Sequence, residues 1–354
     1  MTNKEIENLV RPNIRVLLPY STARDEYKGD IGVFLDANES PYDTGYNRYP
    51  DPHQKALKAR LSEIKGIVPE RIFVGNGSDE AIDLVFRVFC NPGVDNVVAI
   101  DPSYGMYRVC ADINDIEVRE VPLNEDFSLP VERLLSAADK NTKLIFICSP
   151  NNPTGNSFPA SDIERLIRGF KGIVVLDEAY NDFSEEASFR ARLDEFPNLV
   201  ILQTLSKAYG MAALRLGLAY SSEYVIRLMS MVKYPYNING STQKIVLEML
   251  DNDISQRVKT IVSERKAILQ LLEGYSFVKK VYPSDSNFIL VKVDDADRLY
   301  GFLLNDGIIV RNRTKATLCN NCLRITVGLP EENKKLIKSL SEYESKYEKG
   351  DFCR

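Results

Sequence analysis

The chain contains very little histidine. Its single histidine, His53, follows the tripeptide PDP in a sequence of 354 residues. Nucleophilic catalysis by a Ser-His-Asp or Cys-His arrangement uses a histidine as the base. A proline-flanked stretch is an unfavourable place for that histidine. The sequence therefore argues against catalysis of these two kinds.

Long apolar runs and basic patches are also missing. No apolar stretch reaches the roughly 20 residues that cross a bilayer. The N-terminal MTNKEIENLVRP lacks the charged start and apolar core of a signal peptide. The formal net charge is −5, and acidic and basic residues are mixed along the chain. We expect a cytoplasmic protein that binds neither membranes nor nucleic acid.

Cysteine is too sparse for a cysteine-rich metal site. Cys319 and Cys322 form a C-x-x-C sequence, but a metal there would need two further ligands and no second C-x-x-C exists. Cys90, Cys110 and Cys148 lie in or beside apolar segments and are expected in the core. The sequence therefore predicts no bound metal, and two thiols in a loop that precedes a strand.

Strand-like and helix-like segments alternate along the first two thirds of the chain. Apolar runs such as KLIFIC, GIVVL and NLVIL are typical of strands buried on both faces. They predict an α/β fold with a mostly parallel sheet in a large domain. The pattern changes near residue 245, which favours a smaller α+β domain at the end. We expect an arm at 1–30, the large domain at 31–240 and the small domain at 241–354.

Polar motifs follow five of the predicted strands directly. They are GNGSDE, DPSYG, SPNNPTG, DEAY and TLSK. In open α/β sheets, ligands bind at the carboxyl ends of the strands. These motifs are therefore expected to line one crevice.

Their chemistry suggests one cofactor. Ser78 and Asp79 open a helix after a glycine, where free N–H groups attract a phosphate, although the same residues also suit a plain turn. Asp177 ends an apolar strand, where a carboxylate needs a cationic partner or must shift its pKa. Lys207 is either a solvated lysine or an amine nucleophile, and Arg215 in ALRLG is expected to pair with an anion. Together these groups could hold pyridoxal 5′-phosphate, or PLP.

Several motifs carry a family resemblance. SPNNPTG, LDEAY and TLSKAYGMAALRLG resemble the fold-type I, class I and II PLP-dependent aminotransferases, in the order and spacing of that family. RPNIRVLLPY, LDANESPY, NRYPDP, IIVRNR and CLRITVG are similar to its histidinol-phosphate aminotransferase branch, whose common LNANE is LDANE here. The resemblance covers nearly the whole chain.

This resemblance implies roles in binding PLP. Lys207 would be the Schiff-base lysine and the base that moves the substrate Cα proton. Asp177 would pair with the pyridine nitrogen, Tyr180 and Asn152 would bind the phenolic oxygen, and Tyr104 would stack on the ring. The residues implied to hold the phosphate are Ser78, Asp79, Thr204, Ser206, Arg215 and, from the neighbouring subunit, Tyr49. A homodimer is therefore implied, although Tyr49 also suits an ordinary exposed loop.

The resemblance also implies the substrates, L-histidinol phosphate and 2-oxoglutarate, in a reversible step of histidine biosynthesis. Arg324 would bind the carboxylate of glutamate or the phosphate of histidinol phosphate. Arg311 and Tyr20 would add donors for the phosphate, and Asn38 would lie at the mouth of the site. Arg313 would share the face of Arg311 on a strand, so the choice of Arg311 rests on the resemblance.

Other functions fit parts of the sequence. A threonine-phosphate decarboxylase would bind a phosphate and a carboxylate together without needing 2-oxoglutarate. An aromatic aminotransferase would accept phenylalanine as well as the phosphate ester. A PLP-binding regulator without catalysis would carry a fused DNA-binding domain, and about 30 residues before the first family motif are too few for one.

Overall fold

The computed structural model describes residues 1–22, 24 and 32–348. Two β-sheets organise these residues, one with seven strands and one with four. The strands of the larger sheet are β1 (Ile72–Asn76), β2 (Asn96–Asp101), β3 (Glu117–Pro122), β4 (Thr142–Cys148), β5 (Ile173–Asp177), β6 (Leu199–Thr204) and β7 (Leu216–Tyr220).

The larger sheet has the order β1-β7-β6-β5-β4-β2-β3. The pairs β6–β5, β5–β4, β4–β2 and β2–β3 are parallel. Only β7 runs against its neighbours, β1 and β6. The predicted mostly parallel sheet of an α/β fold is therefore confirmed.

Helices cover both faces of this sheet. The helices described before residue 240 are α1 (Asn3–Leu9), α2 (Pro12–Arg15), α3 (Lys55–Lys65), α4 (Gly77–Phe89), α5 (Met106–Ile113), α6 (Val131–Ala137), α7 (Ala160–Gly169) and α8 (Glu223–Val232). Side chains alternate along each strand, so Val74 faces one apolar cluster and Phe73 faces the other. Burial on both faces explains why these strands are apolar without interruption.

The smaller sheet is antiparallel, with the order β10-β11-β9-β8. Its strands are β8 (Val278–Val281), β9 (Phe288–Val293), β10 (Arg311–Asn312) and β11 (Cys322–Thr326). The helices in this part of the chain are α9 (Gly240–Met249), α10 (Ser255–Leu272), α11 (Ala296–Asn305) and α12 (Pro330–Glu348). Leu299, Leu303, Leu336 and Leu340 pack with one face of the sheet in a third apolar cluster.

The predicted domain limits stay predictions. The packing just after residue 240 shows which of the two sheets that part of the chain covers. Val246 on α9 and Leu250 are buried in the cluster of the larger sheet, not in that of the smaller one. Cys319 and Cys322 are buried in the same cluster.

No helix among the described residues is long and apolar enough to cross a membrane.

Candidate active site

The strands bring the predicted polar motifs to one edge of the larger sheet. The carboxyl ends of β1, β4, β5 and β6 open into a shared cleft, which confirms the expectation from parallel strands. The cleft is lined by Gly77, Ser78, Asp79, Tyr104, Cys148, Asn152, Asp177, Ala179, Tyr180, Thr204, Ser206, Lys207, Ala212 and Arg215.

Asp177 is the most deeply buried acid of the cleft. Its carboxylate accepts a hydrogen bond from the Tyr107 hydroxyl at 2.7 Å and another from the Ala179 amide at 3.0 Å. Burial raises the pKa of the Asp177 carboxyl, against the lowering effect of these two donors. No ion-pair partner lies within 4 Å of it among the described residues, so the carboxylate can take a cationic group from a ligand.

Lys207 follows β6 and extends into the same cleft. Its ammonium nitrogen lies 5.6 Å from the centroid of the Tyr180 ring. Burial lowers the pKa of Lys207, and the nearby cation of Arg324 lowers it further. The exposed surface of this lysine faces the cleft, where a larger fraction of neutral amine is available for attack on a carbonyl.

The N-terminus of α4 forms an anion-binding cradle at one end of the cleft. No side chain caps this helix, so the N–H groups that follow Gly77 in its first turn can donate to a ligand. The Arg215 guanidinium lies beside them, 3.2 Å from the Asp79 carboxylate. The Thr204 and Ser206 hydroxyls lie 3.0 Å apart on the adjoining loop. Free amides, two hydroxyls and a guanidinium form a suitable donor set for a phosphate.

The cradle depends on a close approach between two backbone segments. A Cβ atom added to Gly217 on β7 would lie 2.0 Å from the Ser78 nitrogen and 2.2 Å from the Gly77 carbonyl carbon. Gly77 has a φ of +73°, and its amide donates to the Arg215 carbonyl at 2.6 Å. The glycines therefore permit α4 to begin directly against β7.

We expect Gly217→Ala to push α4 away from β7 and spoil the cradle. Overpacking of this kind costs roughly 1–3 kcal/mol of unfolding free energy. The checks are urea unfolding and the dissociation constant for PLP, which should rise about tenfold or more as a phosphate contact is lost. Gly301→Ala is the matched control, because a Cβ there meets nothing within 4 Å. Equal behaviour of the two variants would contradict the prediction.

The second sheet supplies a side chain to the cleft. Arg324 on β11 donates a hydrogen bond to the Asn152 side-chain oxygen, and its guanidinium lies 5.3 Å from the Phe288 ring centroid. Tyr180 packs edge-on against the same Phe288 ring. Residues of the smaller sheet thus contact two residues of the cleft lining, Asn152 and Tyr180.

Five of the predicted residues lie outside the cleft lining, and one of them, Arg324, contacts that lining through Asn152. Tyr20 is 72% exposed and lines a separate cavity beside His53. Asn38 and Tyr49 line another cavity, where the Tyr49 ring stacks on Tyr236 with centroids 4.4 Å apart. Arg311 is exposed and pairs with Arg324 across the β10–β11 ladder. The remaining predicted residues line the cleft.

Tyr107 is a site residue that the sequence interpretation missed. It lies on α5, three positions after Tyr104, and its ring stacks on Phe146 with centroids 4.9 Å apart. The hydroxyl reaches Asp177 from beneath the cleft. The spacing placed Tyr107 on the buried side of a helix, where a hydroxyl requires a polar partner. This need for a polar partner could have indicated a functional role for Tyr107, but the sequence does not show that the partner is Asp177.

We expect Tyr107→Phe to lower kcat about tenfold with little change in KM. The hydroxyl stabilises the ionised form of Asp177, and a hydrogen bond to a charged group contributes about 1.5 kcal/mol. Steady-state kinetics and a pH titration of the bound cofactor's absorbance would measure the effect. Tyr275→Phe removes a hydroxyl that bonds Ile337 and Ser341 instead, so it should change neither readout. An unchanged kcat in Tyr107→Phe would contradict this role.

A family comparison identifies the kind of protein. Residues 27–340 match the model of the family described as aminotransferase class I and II. The chain belongs to this family. The predicted resemblance is therefore confirmed for most of the chain.

Curated relatives of this aminotransferase match over almost their full length. The histidinol-phosphate aminotransferase of Bacteroides fragilis is 56% identical over 96% of this chain and 100% of its own. That of Christiangramia forsetii is 52% identical over 98% of this chain and 100% of its own. These relatives confirm the predicted histidinol-phosphate aminotransferase branch.

Solved structures share the fold. The histidinol-phosphate aminotransferase of Clostridium acetobutylicum superposes with a TM-score of 0.79 at 23% identity, covering 85% of this chain and 92% of that one. The enzyme of Sinorhizobium meliloti, solved with pyridoxal-5′-phosphate, gives 0.77 at 23% identity over 85% and 84% of the two chains. The fold-type I architecture predicted for this aminotransferase is confirmed.

The cleft of this aminotransferase fits PLP. Asp177 offers a buried carboxylate without a cation to the pyridine nitrogen, and Lys207 offers an amine with a lowered pKa to the aldehyde. The uncapped start of α4, with Arg215 beside it, offers donors to the phosphate. Each chemical feature of PLP thus has a complementary group at the edge of one sheet.

Proposed function

We propose that this aminotransferase transfers the amino group of L-histidinol phosphate to 2-oxoglutarate, giving imidazole-acetol phosphate and L-glutamate. The reaction is reversible and belongs to histidine biosynthesis. The observation that carries the substrate assignment is 56% identity to a histidinol-phosphate aminotransferase over 96% of this chain. The cleft supports the reaction type independently, because it combines an amine, a buried acid and a phosphate cradle.

PLP would be held by residues of both the strand ends and α4. Lys207 would bind its aldehyde carbon, Asp177 its ring nitrogen, and Tyr180 with Asn152 its phenolic oxygen. The residues that would bind the phosphate are Ser78, Asp79, Thr204, Ser206 and Arg215, and Tyr104 would stack on the ring. When bound, PLP supplies an electron sink that stabilises negative charge at the substrate Cα.

The chain's own residues then control protons around that sink. Asp177 keeps the ring nitrogen protonated, because a buried carboxylate gains most from a cation at hydrogen-bond distance. With PLP bound, the Lys207 amine would take the proton from the substrate Cα and would return it to C4′ of the cofactor. Burial, and secondly the Arg324 cation, lower the pKa of Lys207, which favours the neutral amine that this transfer needs.

The two substrates share one anion-binding region. Arg324 is half-buried at the cleft, where it binds either the α-carboxylate of glutamate or the phosphate of histidinol phosphate. Arg311, directly opposite on β10, adds a second guanidinium for the phosphate. Tyr20 would add a hydroxyl for the phosphate and Asn38 would lie at the mouth of the site, although in this chain they line two other cavities.

The segment before residue 50 supports a homodimer. Ile6, Val10 and Ile14 are buried, but Leu18, Val33 and Leu35 are each more than 80% accessible. Several highly exposed apolar side chains in one segment favour a protein interface there. In the proposed dimer, Tyr49 reaches the phosphate of the partner's cofactor, which explains why it lies outside the cleft of its own chain.

A mixing experiment tests the crossed position of Tyr49. Lys207→Ala and Tyr49→Ala dimers should each be nearly inactive, but mixed dimers contain one site with both residues intact. Equal mixing should restore about a quarter of the wild-type activity, since half of the dimers are mixed and half of their sites are complete. No recovery after exchange of subunits, confirmed by mass spectrometry, would mean that Tyr49 does not act across the interface.

The proposed reaction has a direct spectroscopic test. L-Histidinol phosphate added to the PLP-loaded protein without a keto acid should bleach the visible band, and 2-oxoglutarate should restore it. A band that does not respond would reject this substrate but leave the PLP site standing. Release of CO₂ from added L-threonine phosphate would favour a threonine-phosphate decarboxylase, and turnover of phenylalanine equal to that of L-histidinol phosphate would favour an aromatic aminotransferase. The cytoplasmic location expected from the sequence stays a prediction.

A further inference from the structure

Three arginines share one face of the smaller sheet. Arg311 is directly opposite Arg324 in the antiparallel ladder, and the Arg313 amide donates to the Cys322 carbonyl at 2.8 Å. This bond extends the ladder by one pair beyond β10. Because side chains alternate along a strand and opposite residues share a face, Arg311, Arg313 and Arg324 lie on the same face.

That face looks toward the larger sheet. Cys322 and Leu290, which share the face of Arg324, are buried in the apolar cluster of the larger sheet. Leu323 and Ile325 point to the opposite face of β11 and belong to the apolar cluster of the smaller sheet. The three guanidinium groups are therefore directed to the side on which Arg324 meets Asn152 of the cleft.

The positive charge of this arginine face is not neutralised within the described part of the chain. No carboxylate there comes within 4 Å of any of the three guanidinium groups, although many other arginines form such pairs. The Nε atom of Arg313 is buried and has no hydrogen-bond partner. Burial lowers the pKa of Arg313, Arg311 lowers it further, and the electrostatic attraction of Asp101 opposes this effect. Such a cluster is stabilised when an anion enters it.

We propose that Arg313 is a specificity-determining residue, which binds the substrate's phosphate group together with Arg311 and Arg324. This inference rests on the proposed function. It identifies the side chain that makes the enzyme prefer one amino donor, L-histidinol phosphate, over the other, glutamate. A phosphate monoester carries nearly two negative charges and three acceptor oxygens, whereas a carboxylate carries one charge and two oxygens. The third guanidinium therefore favours the phosphate ester over glutamate.

The same geometry also suits a structural role for Arg313 between the two sheets, and a control variant separates the two roles. Asp101, at the carboxyl end of β2, attracts Arg313 from the larger sheet. If Arg313 only holds the two sheets together through this attraction, Asp101→Asn will have the same effect as Arg313→Gln. If Arg313 binds phosphate, Asp101→Asn will leave the preference between substrates unchanged.

The test compares amino donors with and without a phosphate in the PLP-loaded enzyme. In Arg313→Gln, KM for L-histidinol phosphate should rise about tenfold, as loss of one charged contact predicts, with kcat nearly unchanged. The kcat/KM values for glutamate and for L-histidinol, which lacks the phosphate, should change less than about twofold. Arg313→Lys should recover part of the loss, because lysine keeps the positive charge but cannot make the bidentate hydrogen bonds of a guanidinium.

Three results would overturn the assignment of Arg313. They are an unchanged KM for L-histidinol phosphate, an equal loss for all three donors, and an equal effect of Asp101→Asn. In each case a wild-type enzyme that converts L-histidinol phosphate leaves the proposed function intact. A wild-type enzyme that retains PLP but does not convert L-histidinol phosphate would instead overturn the proposed function, and the role of Arg313 with it.

Discussion

Replacement of Lys207 by alanine will abolish turnover, with a loss of at least ~10⁴-fold in kcat. The loss is large because one side chain has two tasks, covalent attachment of PLP and movement of the substrate proton. In the described structure, Lys207 is the lysine that lines the cleft with Asp177 and Tyr180, so no neighbouring amine can replace it. The variant should still bind PLP through the phosphate cradle, but without the spectrum of the attached cofactor.

The measurement combines kinetics with spectroscopy. Stopped-flow and steady-state assays report kcat, and the visible absorbance reports how the cofactor is attached. Lys266→Ala is a suitable control, because that lysine is 63% exposed and lies 3.7 Å from Glu185 on the surface. A small alkylamine added to Lys207→Ala should restore some proton transfer, since it supplies the missing base. Full turnover without added amine would refute the central role of Lys207.

Replacement of Asp177 by asparagine will separate activity from stability. In the PLP-loaded enzyme, kcat should fall by about 10³-fold or more, because the ring nitrogen loses the charge that keeps it protonated. The cofactor-free protein should instead become more stable, by on the order of 1 kcal/mol, because a buried carboxylate without a cation is removed. The asparagine oxygen can still accept from Ala179, and its amide can donate to the Tyr107 oxygen.

The gain in stability should depend on pH in a defined direction. The pKa of Asp177 is raised in the folded, cofactor-free protein, so this group favours folding below its unfolded pKa. That contribution is lost as the pH rises through the folded value. The stability difference between Asp177→Asn and wild type should therefore be present at neutral pH and disappear in acid. Urea unfolding of the cofactor-free proteins across this pH range measures it.

An opposite outcome would be informative. If Asp177→Asn destabilised the cofactor-free protein at neutral pH, the carboxylate would be compensated by an interaction other than those with Tyr107 and Ala179. If kcat were unchanged, the carboxylate would not control the ring nitrogen. Glu178→Gln is the matched control, because Glu178 is equally buried but is already bonded by Ser188, Phe189 and Gln203.

The sequence predicted the cleft on the larger sheet well. Each motif there is local: a strand ends, and its next few residues carry the polar group. Asp177 ends β5 and Lys207 follows β6 within one turn, so the sheet order brings them together without any long-range information. The parallel arrangement follows from the uniformly apolar strands, and the common edge follows from the parallel arrangement.

The same reasoning could not reach contacts made between distant elements. Tyr107 points from α5 to Asp177, 70 positions away, and nothing in the local pattern of α5 specifies that partner. Gly217 looks like an ordinary strand glycine until α4 is seen to begin against it. The sequence pattern predicts that Tyr49 lies in a loop. It does not specify the contact proposed for Tyr49, because that contact is with the cofactor of the other subunit.

The groups that react and the arginines proposed to bind the substrate's phosphate lie on different sheets and in different parts of the sequence. Lys207, Asp177 and the start of α4 lie on the larger sheet, whereas the arginine face lies on one short stretch, 311–324. A lineage could therefore change which amine it accepts by altering that stretch alone, while the reactive groups stay as they are. Gene duplication followed by drift in 14 contiguous positions would be a short evolutionary route from one amino donor to another.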